Sequence, residues 1–391
     1  IIRLPKIAKI NEFILYCSRL FVSLHHKRVR EMCRHIIYIF IVMLLTVCSC
    51  SRGGMNGSEE FADSLLLPAT PARCTSDGEM MWLHVMIETV EADRLGMGDS
   101  IALSPLWTVR NLLDERSWQC YATGADVTTD GTLADAWYAF CRYGSATYTS
   151  YCTRPFDQPT PDAAYTTAAR AAQHAATTAS QQHVTPRKAA ERISTALDQT
   201  LGPPPVNAYL YGMEYTPRQL AESMALPDEW KAYTSFSDKP YYTDIQPDMY
   251  GQDKRYAAHN LPIDSLLSLV CRSLREGHPV AWEGDLHTAE SDNDITDMAD
   301  ASEKAEHYAA DRLRRSSAKQ LTPVQQRCII GLARSKDTGV LHFIVKDAPD
   351  ADSSASPLRG YSKAYMPLTA FLTGTTMVMV KQPQKRPAAR H

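Results

Sequence analysis

What this sequence lacks most plainly is a surplus of charge of either sign. Its 41 Lys and Arg against 44 Asp and Glu leave a formal net charge of −3 at pH 7. No basic stretch interleaves with aromatics, so a nucleic acid or other polyanion meets no complementary field and is not expected as a partner. A run long enough to span a bilayer comfortably is also missing, since the nearly continuous apolar stretch Ile36 to Val47 is too short. Three motifs are absent: the nucleophile elbow Gly-Xaa-Ser-Xaa-Gly, a phosphate-cradling glycine loop and the zinc-binding His-Glu-Xaa-Xaa-His. Their absence removes the signatures of serine-hydrolase, P-loop and zincin chemistry. The 10 cysteines fall at spacings that match neither a disulfide framework nor a zinc pattern. No metal and no cofactor is expected.

The short apolar run has a different use. It follows Arg34 and His35 and ends in Val47-Cys48-Ser49-Cys50-Ser51. A basic start, a short apolar core and a small residue before Cys read as a bacterial lipoprotein signal. Cys50 is the better lipidated residue because Ser49 is small. Cys48 is the alternative, and an ordinary cleaved signal peptide is the plainer one. Met32 opens a complete signal, so residues 1–31 are read as upstream sequence, 32–49 as the signal and 50–70 as a tether. The expected address is the bacterial cell envelope, with the mature protein held to a membrane by its lipid. Cys74, Cys120, Cys141, Cys152, Cys271 and Cys328 then remain. An oxidising envelope permits disulfides, and buried free thiols are the other reading.

The chain is organised around Arg73-Cys74-Thr75-Ser76-Asp77-Gly78-Glu79-Met80-Met81-Trp82 and the stretch after it. Beyond Trp82 the apolar residues fall at Leu83, Met86, Ile87 and Val90, a helical spacing that starts a helix near Met81 and buries that face. The start of a buried helix favours an anion such as a thiolate or an oxyanion. His84, Glu88 and Glu91 share one face of this helix. They could ligate a metal, but a packed, hydrogen-bonded face is the preferred reading because no further ligand motif accompanies them. Cys74 could be a displaced nucleophile; without a placed His it reads as an ordinary cysteine.

This stretch resembles the active-site segment of papain-like cysteine peptidases. Trp82 and Glu91 stand at that family's separation, with Thr89-Val90 before the Glu. In that register the nucleophilic Cys falls on Met81, the oxyanion-hole Gln on Thr75, and the Gly and Ser before the nucleophile on Glu79 and Met80. Further along, Gly96-Met97-Gly98-Asp99 with Leu103-Ser104-Pro105 resembles the aminopeptidase C and bleomycin hydrolase branch. Asp130-Gly131-Thr132 leads into Ala134 to Trp137, and of the branch's pair of cleft-lining glycines Gly131 survives. Tyr215-Thr216-Pro217 and Tyr233-Thr234-Ser235-Phe236 also resemble branch motifs, as does His278-Pro279-Val280-Ala281-Trp282-Glu283-Gly284-Asp285. The resemblance implies an α+β, papain-like fold over residues 71–381, with a helical half and a β-barrel half around a cleft. Residues 382–391 are a basic tail.

Local signals divide the rest. Ser104 is a helix N-cap with Pro105 at the first position. The Ala- and Thr-rich insertion at about 159–202 reads as a helical arm, Ala168 to Ala176 and Ala189 to Leu201, with Pro186 between. A helix from Ser265 to Glu276 and a strand near Val280 follow. Thr288 to Gln320 reads as a charged surface excursion. Cys328 to Ala333 and Val340 to Lys346 are strands joined at Lys336-Asp337-Thr338-Gly339, and Thr376 to Lys381 is the last strand.

The resemblance also places the second half of a catalytic site. Counting six residues back from Gly331 puts the general-base His at Gln325. The orienting Asn falls on Asp347, in Val345-Lys346-Asp347. A cysteine peptidase needs a thiolate, an imidazole that takes and returns its proton, and a group that fixes that imidazole. Met81, Gln325, Asp347 and Thr75 supply none of these roles as the family does. The expectation is a peptidase-derived protein without catalysis, which binds a peptide or a protein partner in the old cleft. The alternatives are an active cysteine aminopeptidase with a rearranged site, and a structural subunit assembling with an active paralogue. The branch forms ring-shaped hexamers, so a homo-oligomer is among the implied assemblies.

Overall fold

The computed structural model describes residues 60–72, 78–152, 163–246, 257–285, 325–347 and 360–383, with residues 295, 299, 301 and 304. Thr75, Cys74, Cys48, Cys50, the apolar run before them and nearly all of the charged stretch 288–320 lie outside the described residues.

The fold is α+β. Its centre is helix α1, Met81–Gly96, in which every residue from Trp82 to Asp93 is buried. The sequence marks one apolar face, but the structure covers all of them, so each polar side chain of α1 needs a partner inside the protein. Around α1 stand α2 (Pro105–Thr123) and α3 (Leu133–Tyr143). The Ser104 hydroxyl accepts the Trp107 N–H at the start of α2. At α3, Thr132 and Asp135 form a reciprocal capping box. The arm is a helical hairpin, α4 (Ala164–Gln181) and α5 (Pro186–Leu201). Pro186 opens the second helix instead of separating the two, as its fixed φ and missing N–H allow. Ala168, Ala172 and Ala176 of α4 and Ala189, Ile193 and Leu197 of α5 are fully buried.

The other half is a mixed sheet. Its strands are β1 (Phe61–Leu66), β4 (Trp230–Thr234), β5 (Thr243–Ile245), β6 (Ala258–Asn260), β7 (Val280–Gly284), β8 (Gln325–Ser335), β9 (Leu341–Asp347), β10 (Ser362–Pro367) and β11 (Thr375–Lys381). They lie in the order β10-β9-β8-β7-β11-β4-β6-β5, with β1 added to β8. A separate hairpin, β2 (Ala208–Leu210) and β3 (Met213–Tyr215), stands apart, and helices α6 (Pro217–Met224), α7 (Ile263–Arg275) and α8 (Leu368–Gly374) complete the described elements. Strand β8 is the spine. Its first half pairs with β7 and its second half with β1, while β9 runs along its other edge.

Residues 61–66 therefore correct the reading of 50–70 as a tether. They enter the sheet because β7 is too short to cover β8, and the second half of that edge needs backbone partners. The join explains Gly331: a Cβ there would stand 2.2 Å from the Leu65 carbonyl oxygen. β1 also meets β10 by side chains, through Phe61 stacked on Tyr365 at 3.8 Å and Lys363 on Asp63 at 2.6 Å. Among the described residues no disulfide joins Cys120, Cys141, Cys152, Cys271 or Cys328. No helix among them is long and apolar enough to cross a membrane.

Candidate functional site

The start of α1 faces the sheet. Met80, its N-cap, is left-handed at φ 53° and has no side-chain capping bond. Its carbonyl accepts the N–H groups of Leu83 at 2.9 Å and His84 at 3.3 Å, which starts the helix at Met81. A left-handed non-glycine residue costs on the order of 1 kcal/mol. That strain sits one residue before Met81.

Met81 opens onto a small cleft between α1 and the spine of the sheet. Val85 and Glu88 join it from α1, Arg327 and Cys328 from β8, Lys346 and Asp347 from β9, and Ala72 from the segment after β1. Met81 and Asp347, distant in sequence, are thus brought together. Gln325 does not line this cleft. It begins β8 opposite Gly284, half-buried, and its amide oxygen accepts from the Arg327 guanidinium at 3.3 Å. Arg327 and Cys328 are the β8 residues that line it. β8 also shifts register against β9 between Ile329 and Gly331, and Gly331 is required by β1.

The cleft holds a buried ion pair. Lys346 donates to Glu88 at 2.5 Å and to the Pro71 carbonyl at 3.2 Å. The Cys328 thiol is pushed up to about 11 by burial, with Lys346 and Thr89 acting in the opposite direction. It stays protonated at neutral pH and is a poor nucleophile. Among the described residues no imidazole lines the cleft. An arginine cannot give up its proton in this role, and a methionine thioether has none to give.

The metal reading of His84, Glu88 and Glu91 dissolves in the same way. His84 Nε2 lies 3.3 Å from the Tyr165 hydroxyl, Glu88 holds Lys346, and Glu91 accepts from the Leu103 N–H at 2.6 Å and the Thr70 hydroxyl at 3.0 Å. Among the described residues no group of His, Cys, Asp and Glu is arranged to hold a metal.

Two neighbours shape the cleft from behind. Trp82 donates its indole N–H to the Thr129 carbonyl at 3.1 Å, and a Cβ at Gly131 would lie 2.5 Å from its ring. Gly131 is there because the indole leaves no room for a side chain. On the other side Glu79 reaches α4, where its carboxylate accepts the N–H groups of Tyr165 at 2.8 Å and Thr166 at 2.9 Å. Sequence reasoning missed Glu79, Arg327 and the Glu88–Lys346 pair. One signal was available: Lys346, directly after the apolar run Phe343 to Val345, asks for a buried partner.

No protein-family model and no curated protein matches this chain. Among solved structures it is similar to the crystal structure of PepW from Lactobacillus rhamnosis HN001 (DR20), determined as the selenomethionine derivative. The identity is 12%, the TM-score 0.59, and the match covers 92% of this chain and 93% of that one. The likeness is one of fold.

Proposed function

We propose that this chain is a papain-like peptidase homologue, related to the aminopeptidase C and bleomycin hydrolase branch, that holds a peptide or a segment of a partner protein in its cleft without cutting it. One observation carries the reading. The residue at the start of α1 is Met81, and the residues that line the cleft with it from β8 and β9 are Arg327, Cys328, Lys346 and Asp347. This set offers charge and apolar surface but no pair of thiolate and imidazole. The fold shared with PepW supports a common scaffold. The sequence before Cys50 supports an envelope address with a lipid anchor.

The test has two arms. Purified protein is incubated with fluorogenic aminopeptidase substrates and with an epoxide probe directed at active-site thiols; neither turnover nor covalent labelling is expected. The same protein is then screened for saturable binding to a peptide library, with Met81→Trp and Arg327→Glu as variants that fill the cleft or reverse its charge. Binding lost in both variants supports the reading. Robust hydrolysis that disappears in Cys74→Ser would replace it with an active peptidase whose nucleophile has moved.

A further inference from the structure

Glu283 of β7 plays no part in the cleft described above. Its side chain is fully buried against the first turn of α3. One carboxyl oxygen, Oε2, accepts the Leu133 N–H at 3.2 Å, and the other, Oε1, has no hydrogen-bond partner among the described residues. Asp135, two residues further along α3, is a second carboxylate at the same helix end. It already accepts the Thr132 N–H and hydroxyl at 2.8 Å each. A helix N-terminus stabilises roughly half a charge, and here Asp135 takes that place.

We propose that Glu283 is a proton-dependent latch between β7 and the first turn of α3, closed while its carboxyl is neutral and released when it ionises. The groups facing it are few. Asp135 faces it from α3, and its cross-strand neighbours are Gln326 of β8 and Met377 of β11, neither of them charged. No cation acts on it among the described residues. Burial, opposed by the Leu133 N–H and reinforced by Asp135, pushes the carboxyl up to about 8. An ionised Glu283 must therefore find water, and it reaches water by parting α3 from β7.

The consequence reaches the cleft. The segment leading into α3 is clasped to α1 through the Thr129–Trp82 hydrogen bond and the close contact of Gly131 with the same indole. Movement of the first turn of α3 is passed to Trp82, the neighbour of Met81. Alkaline pH thus loosens one wall of the site by ionising a group that never touches a ligand.

The experiment follows near-ultraviolet circular dichroism of the full chain between pH 6.5 and 9. Wild type is expected to show one reversible, single-proton transition with a midpoint no higher than about pH 8, absent from Glu283→Gln. In Asp135→Asn the loss of the like charge moves the midpoint down, by on the order of half a unit or more. This variant decides the matter if Glu283→Gln fails to fold. A flat wild-type profile, an unchanged transition in Glu283→Gln, or a midpoint that stays or rises in Asp135→Asn overturns the latch.

Discussion

The carboxylate of Glu79 receives the backbone N–H of Tyr165, 86 positions away in sequence, at 2.8 Å. With the Thr166 N–H at 2.9 Å it completes a cap that α4 lacks of its own, because the N-cap residue there is Ala163 with no side-chain bond. A residue in the approach to α1 thus pins the inserted arm to the rim of the cleft. Replacing an N-cap side chain costs about 0.5–2 kcal/mol, and this one is charged. Glu79→Gly, which removes the carboxylate, is expected to lower stability by about 1–2 kcal/mol in urea unfolding. A Glu79→Gly protein as stable as wild type would show that the contact contributes nothing.

The pair Glu88 and Lys346 is almost wholly shielded from solvent, at 8% and 1% side-chain exposure. Removing one partner strands the other charge, so Lys346→Met and Glu88→Leu are each expected to destabilise by roughly 3–5 kcal/mol. The double replacement should recover most of that loss, because two apolar groups leave no buried charge. Additive losses in the double variant would mean that the two side chains are not coupled.

Arg327 lines the cleft with Met81, and Gln325 does not. Met81→Cys is therefore expected to alkylate with a thiol acidified by the helix start and the guanidinium, yet to turn over no peptide. Adding Arg327→His places an imidazole in the cleft and should make alkylation depend on a second ionisation near neutral pH. Adding Gln325→His should leave the Met81→Cys profile unchanged. The reverse pattern in the pH–rate curves would restore Gln325 as the cleft residue.

Linkage fixes the sign of one pH effect. Glu283 is held near 8 in the folded protein against about 4.5 when the chain unfolds. Between those values the folded state binds the extra proton, so stability falls as pH rises. Its contribution is complete below about 4.5 and lost above about 8, with a slope of at most about 1.4 kcal/mol per pH unit. Glu283→Gln removes this slope and is expected to be the more stable protein at pH 7.5. Urea midpoints of both proteins measured from pH 5 to 9 check it, and parallel curves would sink the assignment.

The lipoprotein reading makes a separate claim about address. Wild type expressed in bacteria should partition with membranes and carry an acylated N-terminus, and Cys50→Ala should be released or fail to mature. An unmodified N-terminus with membrane association unchanged in Cys50→Ala argues against the anchor.

The sequence by itself determined the features that neighbours along the chain decide. The helix from Met81, the Ser104-Pro105 helix start and the turn at Lys336 to Gly339 with a left-handed Gly339 stand where periodicity and turn chemistry put them, and the α4–α5 arm is a helical pair as expected, with longer helices and Pro186 inside the second. Each depends on a few adjacent residues and their own dihedral preferences. Tertiary structure alone decided that residues 61–66 join the sheet, that Glu79 caps a helix in the arm, and that Arg327 and not Gln325 enters the cleft. Glu283 reads in sequence as an ordinary strand residue. Its burial against α3, which changes its chemistry, follows from strand pairing across more than forty positions of chain. Strand β8 also carries a register shift against β9. No local pattern could have located the one between Ile329 and Gly331, because the backbone of β1 made the glycine necessary.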